Sequence, residues 1–198
     1  IESRGEAEKR EFEKIIKAHV STLPFDLRLP DNIVTNMNPE GQVFTDHLYC
    51  DGQGNAIFKL DTWEINILEK ERQQEGFVCW FRNIPNKGSS LCIQYELGSE
   101  IKAHFPDFIV VRRVNNQYEF SILEPHYIGY SDSVPKLKGM AKYSQLCSSV
   151  KRNEMIRIIE MPTGKRIQRI DVAKSSIRNE VKCLNDYDDL NNLFAKLN

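Results

Sequence analysis

The sequence predicts an α/β fold, a mixed sheet flanked by helices, and three observations carry that expectation. Helix-like and strand-like segments alternate from residue 61 onward. A two-residue Asn115-Asn116 turn joins two apolar runs into a hairpin. After Pro135, apolar residues recur at helical spacing before another apolar run of strand length begins. The resulting order is helix, several strands, helix, strand, and such an order buries both faces of a sheet under helices.

Taken in order, residues 6–20 place Phe12, Ile15, Ile16 and Val20 on one stripe, which predicts an amphipathic helix. Residues 33–60 read as a small β-meander punctuated by the turn signals Asn38-Pro39-Glu40-Gly41 and Asp51-Gly52-Gln53-Gly54-Asn55. Residues 61–75 predict a helix with Trp63, Ile67 and Leu68 inward and Gly76 as its stop. Strands follow at 77–81, 91–95, 105–112 and 118–124. A helix then carries Leu137, Met140, Ala141, Ser144 and Cys147 on one face, before a strand at 155–161 and a turn at 162–165. Residues 175–184 and 188–197 are expected to close the fold as helices. The division expected is residues 1–60 as an extension linking to an upstream domain and 61–198 as the α/β domain; a chain starting at Ile1 reads as part of a longer polypeptide.

With 198 residues, 40% of them apolar, the chain is long enough for one sizeable core. A net charge of −1 excludes a uniformly basic, DNA-coating protein, so any nucleic-acid surface must be local. Five widely spaced cysteines without a C-x-x-C pair predict reduced thiols and a cytoplasmic setting. No apolar run approaches the roughly 20 residues that span a bilayer, so no membrane partner is expected. Thr163-Gly164-Lys165 lacks the frame of a nucleotide-binding loop, and the four histidines lack zinc-ligand spacing. Trp63 and Trp80 are expected in the core. Arg112, Arg113, Lys151, Arg152, Lys165, Arg166 and Arg169 are expected mostly on solvated faces.

The hairpin carries the chemistry. If Val114 faces Gln117 across the Asn115-Asn116 turn, counting back puts Asp107 opposite Glu124. Directly opposed residues hold their Cβ atoms about 4.5–5.5 Å apart. Two carboxylates so placed repel and ask for a cation, and Mg²⁺ or Mn²⁺ held by two acids, waters and a substrate phosphate would supply it. His126, two positions beyond Glu124, shares its face.

Pro106-Asp107 followed by Glu124-Pro125-His126 resembles the PD-(D/E)xK nuclease motif with histidine in the lysine position. Trp80-Phe81-Arg82-Asn83, Ile93-Gln94-Tyr95, Phe105-Pro106-Asp107-Phe108-Ile109 and Ile122-Leu123-Glu124-Pro125-His126 together resemble the nuclease-like C-terminal part of type III restriction enzymes and helicase-linked bacterial defence proteins, over about residues 61–149. The resemblance implies a restriction endonuclease-like core and Mg²⁺- or Mn²⁺-dependent DNA cleavage in antiviral defence. It also implies a partner helicase or ATPase region, upstream in the same polypeptide or in another subunit. It makes Asp107 and Glu124 metal ligands and His126 and Lys136 catalytic. Lys136, Lys138 and Lys102 become DNA contacts, beside His104 in the segment before the acid strand. A third acid is expected from the helix before the first core strand, and Glu64 fits; Asp61-x-x-Glu64 equally reads as a capping box. Because His126 departs from the lysine pattern, the alternative is a degenerate nuclease fold that grips nucleic acid or docks a partner. In a purely structural docking module the acids would pair with Arg or Lys instead.

Overall fold

The computed structural model describes residues 40–87, 90–147, 150–162 and 164–198. The helix expected at 6–20 and the start of the expected meander lie outside them. Along the chain run β1 (Gln42–Phe44), β2 (Ala56–Phe58), α1 (Thr62–Arg72), β3 (Phe77–Arg82), β4 (Ile93–Leu97), β5 (Glu100–His104), β6 (Phe108–Val114) and β7 (Gln117–Pro125). Then come α2 (Ser133–Leu146), β8 (Val150–Met161), β9 (Gly164–Asp171), α3 (Ser175–Lys182) and α4 (Tyr187–Leu197).

A five-stranded sheet in the order β3-β6-β7-β8-β9 forms the centre. It is mixed, as expected: β3, β6 and β7 are antiparallel neighbours, and β8 returns parallel to β7 after the α2 crossover that a parallel pair requires. Asn115 and Asn116 take φ of 49° and 64°, the left-handed pair of a type I′ hairpin, which fixes the β6–β7 register at Val114↔Gln117 and Phe108↔Leu123.

Alternation along the strands sends side chains into two apolar clusters, one on each face. On one face Ile122, Met155 and Ile170 meet Leu137 and Met140 of α2, Val181 of α3 and Phe194 of α4. On the other, Trp80, Phe108, Leu123 and Ile156 meet Ile67 and Leu68 of α1 together with Phe44 of β1 and Leu60 from the segment between β2 and α1. Trp80 is fully buried, while Trp63 is half-buried at the edge of that second cluster.

Two strands escaped the sequence reading, β5 and β9. Both are rich in charged residues, EIKAH in the first and GKRIQRID in the second, and charged strands at sheet edges carry little apolar signal. The β4–β5 hairpin packs on α2, where Gly139 is needed: a Cβ there would stand 2.7 Å from the Gln94 carbonyl oxygen. His104, expected in a loop, ends β5 and is buried. Among the described residues no helix is long and apolar enough to cross a membrane.

Candidate functional site

Continuing the β6–β7 register one step past Phe108↔Leu123 brings Asp107 opposite Glu124, as the hairpin count requires, and the Glu124 carboxylate accepts the backbone N–H of Asp107. The corner that presents Asp107 is pinned by Asn83, which is fully buried. Its amide donates to the carbonyls of Leu91 (2.9 Å) and Pro106 (2.8 Å), and its backbone N–H donates to the Asp107 carbonyl (2.9 Å).

Glu64 joins the acids from α1 and does two things at once. Its Oε2 accepts the Asp61 N–H at 2.8 Å, completing a capping box with Asp61, so the helix-start reading is realised. Its Oε1 accepts from Arg82, whose second amino group reaches Asp107 Oδ1 at 3.1 Å. The Arg82 guanidinium also lies over the Phe108 ring, 4.9 Å from its centroid. Arg82 is therefore the cation nearest the Asp107–Glu64 side of the site.

Glu124 is held differently. Its Oε1 is 3.1 Å from His126 Nδ1, and His126 Nε2 is 3.1 Å from the Ser133 hydroxyl at the start of α2. Both ring nitrogens of His126 are thus engaged, which makes it an orienting residue for Glu124. The other oxygen, Oε2, faces His104 Nε2 at 3.6 Å, too far for a hydrogen bond, and neither atom has a partner among the described residues. His104 and His126, scattered in sequence, converge on one carboxylate.

Electrostatically the cluster is short of positive charge. Burial, then the neighbouring Glu124, push the Asp107 carboxyl up to about 7 despite Arg82. Burial pushes Glu124 up to about 8, against the pull of Lys136. Burial also drives the imidazoles down, His126 to about 4 and His104 to about 3. Each group thus resists carrying its charge where it stands.

The lysines separate. Lys136 bridges to Asp132 at 3.0 Å, one turn earlier on the α2 start; Asp132 also accepts from the Tyr95 hydroxyl at 3.1 Å. Lys138 is exposed and opens onto a cavity of about 530 Å³ between α2 and the β4–β5 hairpin, lined also by Ile93, Tyr95, Pro135 and Tyr143. Lys102 lies exposed on β5, paired with Glu100.

Among the described residues no three His, Cys, Asp or Glu side chains are set around one point as a ready metal cage. What exists is a pair of opposed carboxylates with raised proton affinity, plus an unpartnered oxygen and nitrogen. That donor set fits a hard divalent ion completed by waters and substrate oxygens, with Asp107 and Glu124 as ligands; Glu64 joins only if Arg82 moves. Sequence reasoning missed Arg82 and Asn83 as site residues, although Arg82-Asn83 lie within the motif, and placed His104 among possible DNA contacts rather than beside Glu124.

Every one of these residues falls within positions 45–198, the span matched by the YagJ family profile. The chain belongs to the YagJ family. Protein YagJ of Escherichia coli (strain K12) is 29% identical to it over an alignment of 190 residues that covers 91% of this chain and 76% of that protein. No solved structure matches the chain. The chemistry of this YagJ-family member is therefore read from its own side chains.

Proposed function

We propose that this YagJ-family chain is a Mg²⁺- or Mn²⁺-dependent endodeoxyribonuclease domain of PD-(D/E)xK type, acting in restriction or antiviral defence. The observation that carries the reading is the opposed, undercompensated pair Asp107 and Glu124 at the ends of adjacent antiparallel strands. Support also comes from the succession of α1, three antiparallel strands, α2 and a parallel strand, with Glu64 on the helix before the first core strand.

When bound, a divalent ion supplies a more acidic water and stabilises negative charge on a phosphate. Asp107 and Glu124 hold it, Asn83 fixes the corner that presents Asp107, and His126 fixes the orientation of Glu124 through Oε1. Lys136, anchored by Asp132, sets its ammonium where Glu124 feels it, and in this reading contacts the phosphate or the attacking water. Lys102 and Lys138 are peripheral backbone contacts. The helicase or ATPase partner and a cytoplasmic setting belong to the same proposal.

A degenerate nuclease fold that binds nucleic acid or a partner is the second reading. The Asp107–Arg82 ion pair and the full engagement of His126 favour it.

Supercoiled plasmid incubated with the purified chain and Mn²⁺ or Mg²⁺ decides between them. Wild type should nick it at least about 100-fold faster than Asp107→Asn, which loses one ligand charge, and not at all in EDTA. At pH 8 the variant should be as stable as wild type or up to about 1 kcal/mol more so, because burial and Glu124 outweigh Arg82 at that carboxylate. Absence of nicking by wild type, with or without a helicase partner, sinks the enzyme reading.

A further inference from the structure

The unpartnered facing atoms of His104 and Glu124 ask for something between them. Both side chains are more than nine-tenths buried, at 4% and 7% exposure, and the two atoms stand 3.6 Å apart. Leaving two such polar atoms unmatched is costly, and native folds rarely do so without a reason.

The surrounding structure aims them deliberately. Glu124 Oε1 is tied to His126 and, through it, to Ser133, so the carboxylate cannot rotate without breaking that chain. His104 sits at the end of β5, registered against Ile93, and the chain then turns through Phe105 and Pro106 to deliver Asp107 to the same place. Asn83 clamps both approaches, bonding Leu91 before β4 and Pro106 after β5.

Two ligands each about 2.1 Å from one ion lie roughly 3.0–3.6 Å apart when they subtend about 90–115° at it. The His104–Glu124 separation falls at the upper end of that span. Imidazole nitrogen suits transition ions, whereas Mg²⁺ takes oxygen and holds its waters.

We propose that His104 Nε2 is a metal ligand beside Glu124 Oε2, so that the centre selects a nitrogen-accepting ion such as Mn²⁺ or Co²⁺ over Mg²⁺. The proposal rests on the metal-site part of the function above and adds to the two acids a residue outside the E-x-H motif. It also assigns Oε1 and Oε2 separate duties, the first to His126 and the second to the ion.

Binding of Mn²⁺, Co²⁺ and Mg²⁺ to the full chain, measured by calorimetry, tests it together with electron spin-echo modulation of the bound Mn²⁺. Wild type should prefer Mn²⁺ and Co²⁺ to Mg²⁺ by at least about tenfold, with a histidine ¹⁴N modulation. His104→Ala should remove that modulation and weaken Mn²⁺ by about tenfold or more, while Mg²⁺ affinity changes by less than about threefold. His126→Ala should retain the modulation.

Equal affinity for Mg²⁺ and Mn²⁺ in wild type, or a ¹⁴N signal that survives in His104→Ala, overturns the assignment; the first outcome needs no variant to fold. If ions bind through Asp107 without any nitrogen signal, only His104 falls and the nuclease reading stands. Failure of all three ions to bind wild type removes both.

Discussion

The two ends of helix α1 each plant a glutamate against the sheet, and the two are treated in opposite ways. At the C-terminal end Glu71, fully buried, accepts from Arg112, Arg152 and Arg169, and Glu154 shares Arg152 and Arg169. Two acids there meet three guanidinium groups. At the N-terminal end Glu64, Asp107 and Glu124 have Arg82 for the first two, while Glu124 has two imidazoles that burial keeps from charging. A network that pairs both its carboxylates ties α1 to β6, β8 and β9, and its one unpartnered buried atom among the described residues is the Arg112 Nε, a donor rather than a cation ligand. One that leaves carboxylates undercompensated has affinity in reserve for a cation. On the function proposed above, the difference separates structural from functional acids without appeal to sequence motif.

The comparison breaks most visibly at Glu71. Glu71→Gln leaves buried Arg112 without a carboxylate and Arg152 and Arg169 with Glu154 alone, so urea unfolding should report a loss of about 3–5 kcal/mol. A loss below about 1 kcal/mol would show that the network is not what secures the helix.

A smaller effect comes from pH, measured in EDTA. Asp107 and Glu124 titrate near their ordinary 3.8 and 4.5 when unfolded but only near 7 and 8 when folded, so above pH 4 the unfolded chain binds fewer protons and stability falls as pH rises. His104 and His126, with His47, act in the other direction, and their effect fades over about a pH unit either side of 6.5 as the unfolded imidazoles lose their protons. Between pH 6.5 and 8 the acids outweigh the fading histidine contribution. Stability should decline there by roughly 1–3 kcal/mol, and saturating Mn²⁺ should flatten the decline. A flat profile in EDTA would put the acids in the same class as Glu71.

The smallest effect sharpens the assignment of Glu64. Glu64→Gln retains an acceptor for the Asp61 N–H and so keeps the capping box, losing a mostly buried ion pair with Arg82, which keeps Asp107 as its partner. Thermal melts should show a loss of about 1 kcal/mol, held down because Arg82 still has a carboxylate beside it. A matching loss of Mn²⁺ affinity would make Glu64 a ligand; unchanged affinity would leave it a helix cap that steadies Arg82.

Much of the acid hairpin was legible because its determinants are local. Asn115-Asn116 tolerates positive φ, the strand period is two, and counting from the turn then pairs Asp107 with Glu124. The helix start at Asp61 and Glu64 was legible for the same reason. Arg112, Arg152 and Arg169 were not: each looks like any surface arginine, and Arg169 meets Glu71 across 98 residues of chain, where no periodicity reports a contact. His104 was hidden by the hairpin that buries it, since β5 carries too few apolar residues to announce itself as a strand.

By itself, then, the sequence determined what nearest neighbours decide: turn geometry, cap, strand alternation, and with them the pairing of two acids across one ladder. Only the tertiary structure decided which charges are compensated, because that depends on which distant side chains burial brings within a few ångströms. Arg82 beside Asp107, three arginines around Glu71, and His104 facing Glu124 all follow from packing α1 and the β4–β5 hairpin around the sheet. Removal from water then sets the ionisation of Asp107 and Glu124, since a carboxylate shielded from solvent and short of a counter-ion holds its proton until a cation takes its place.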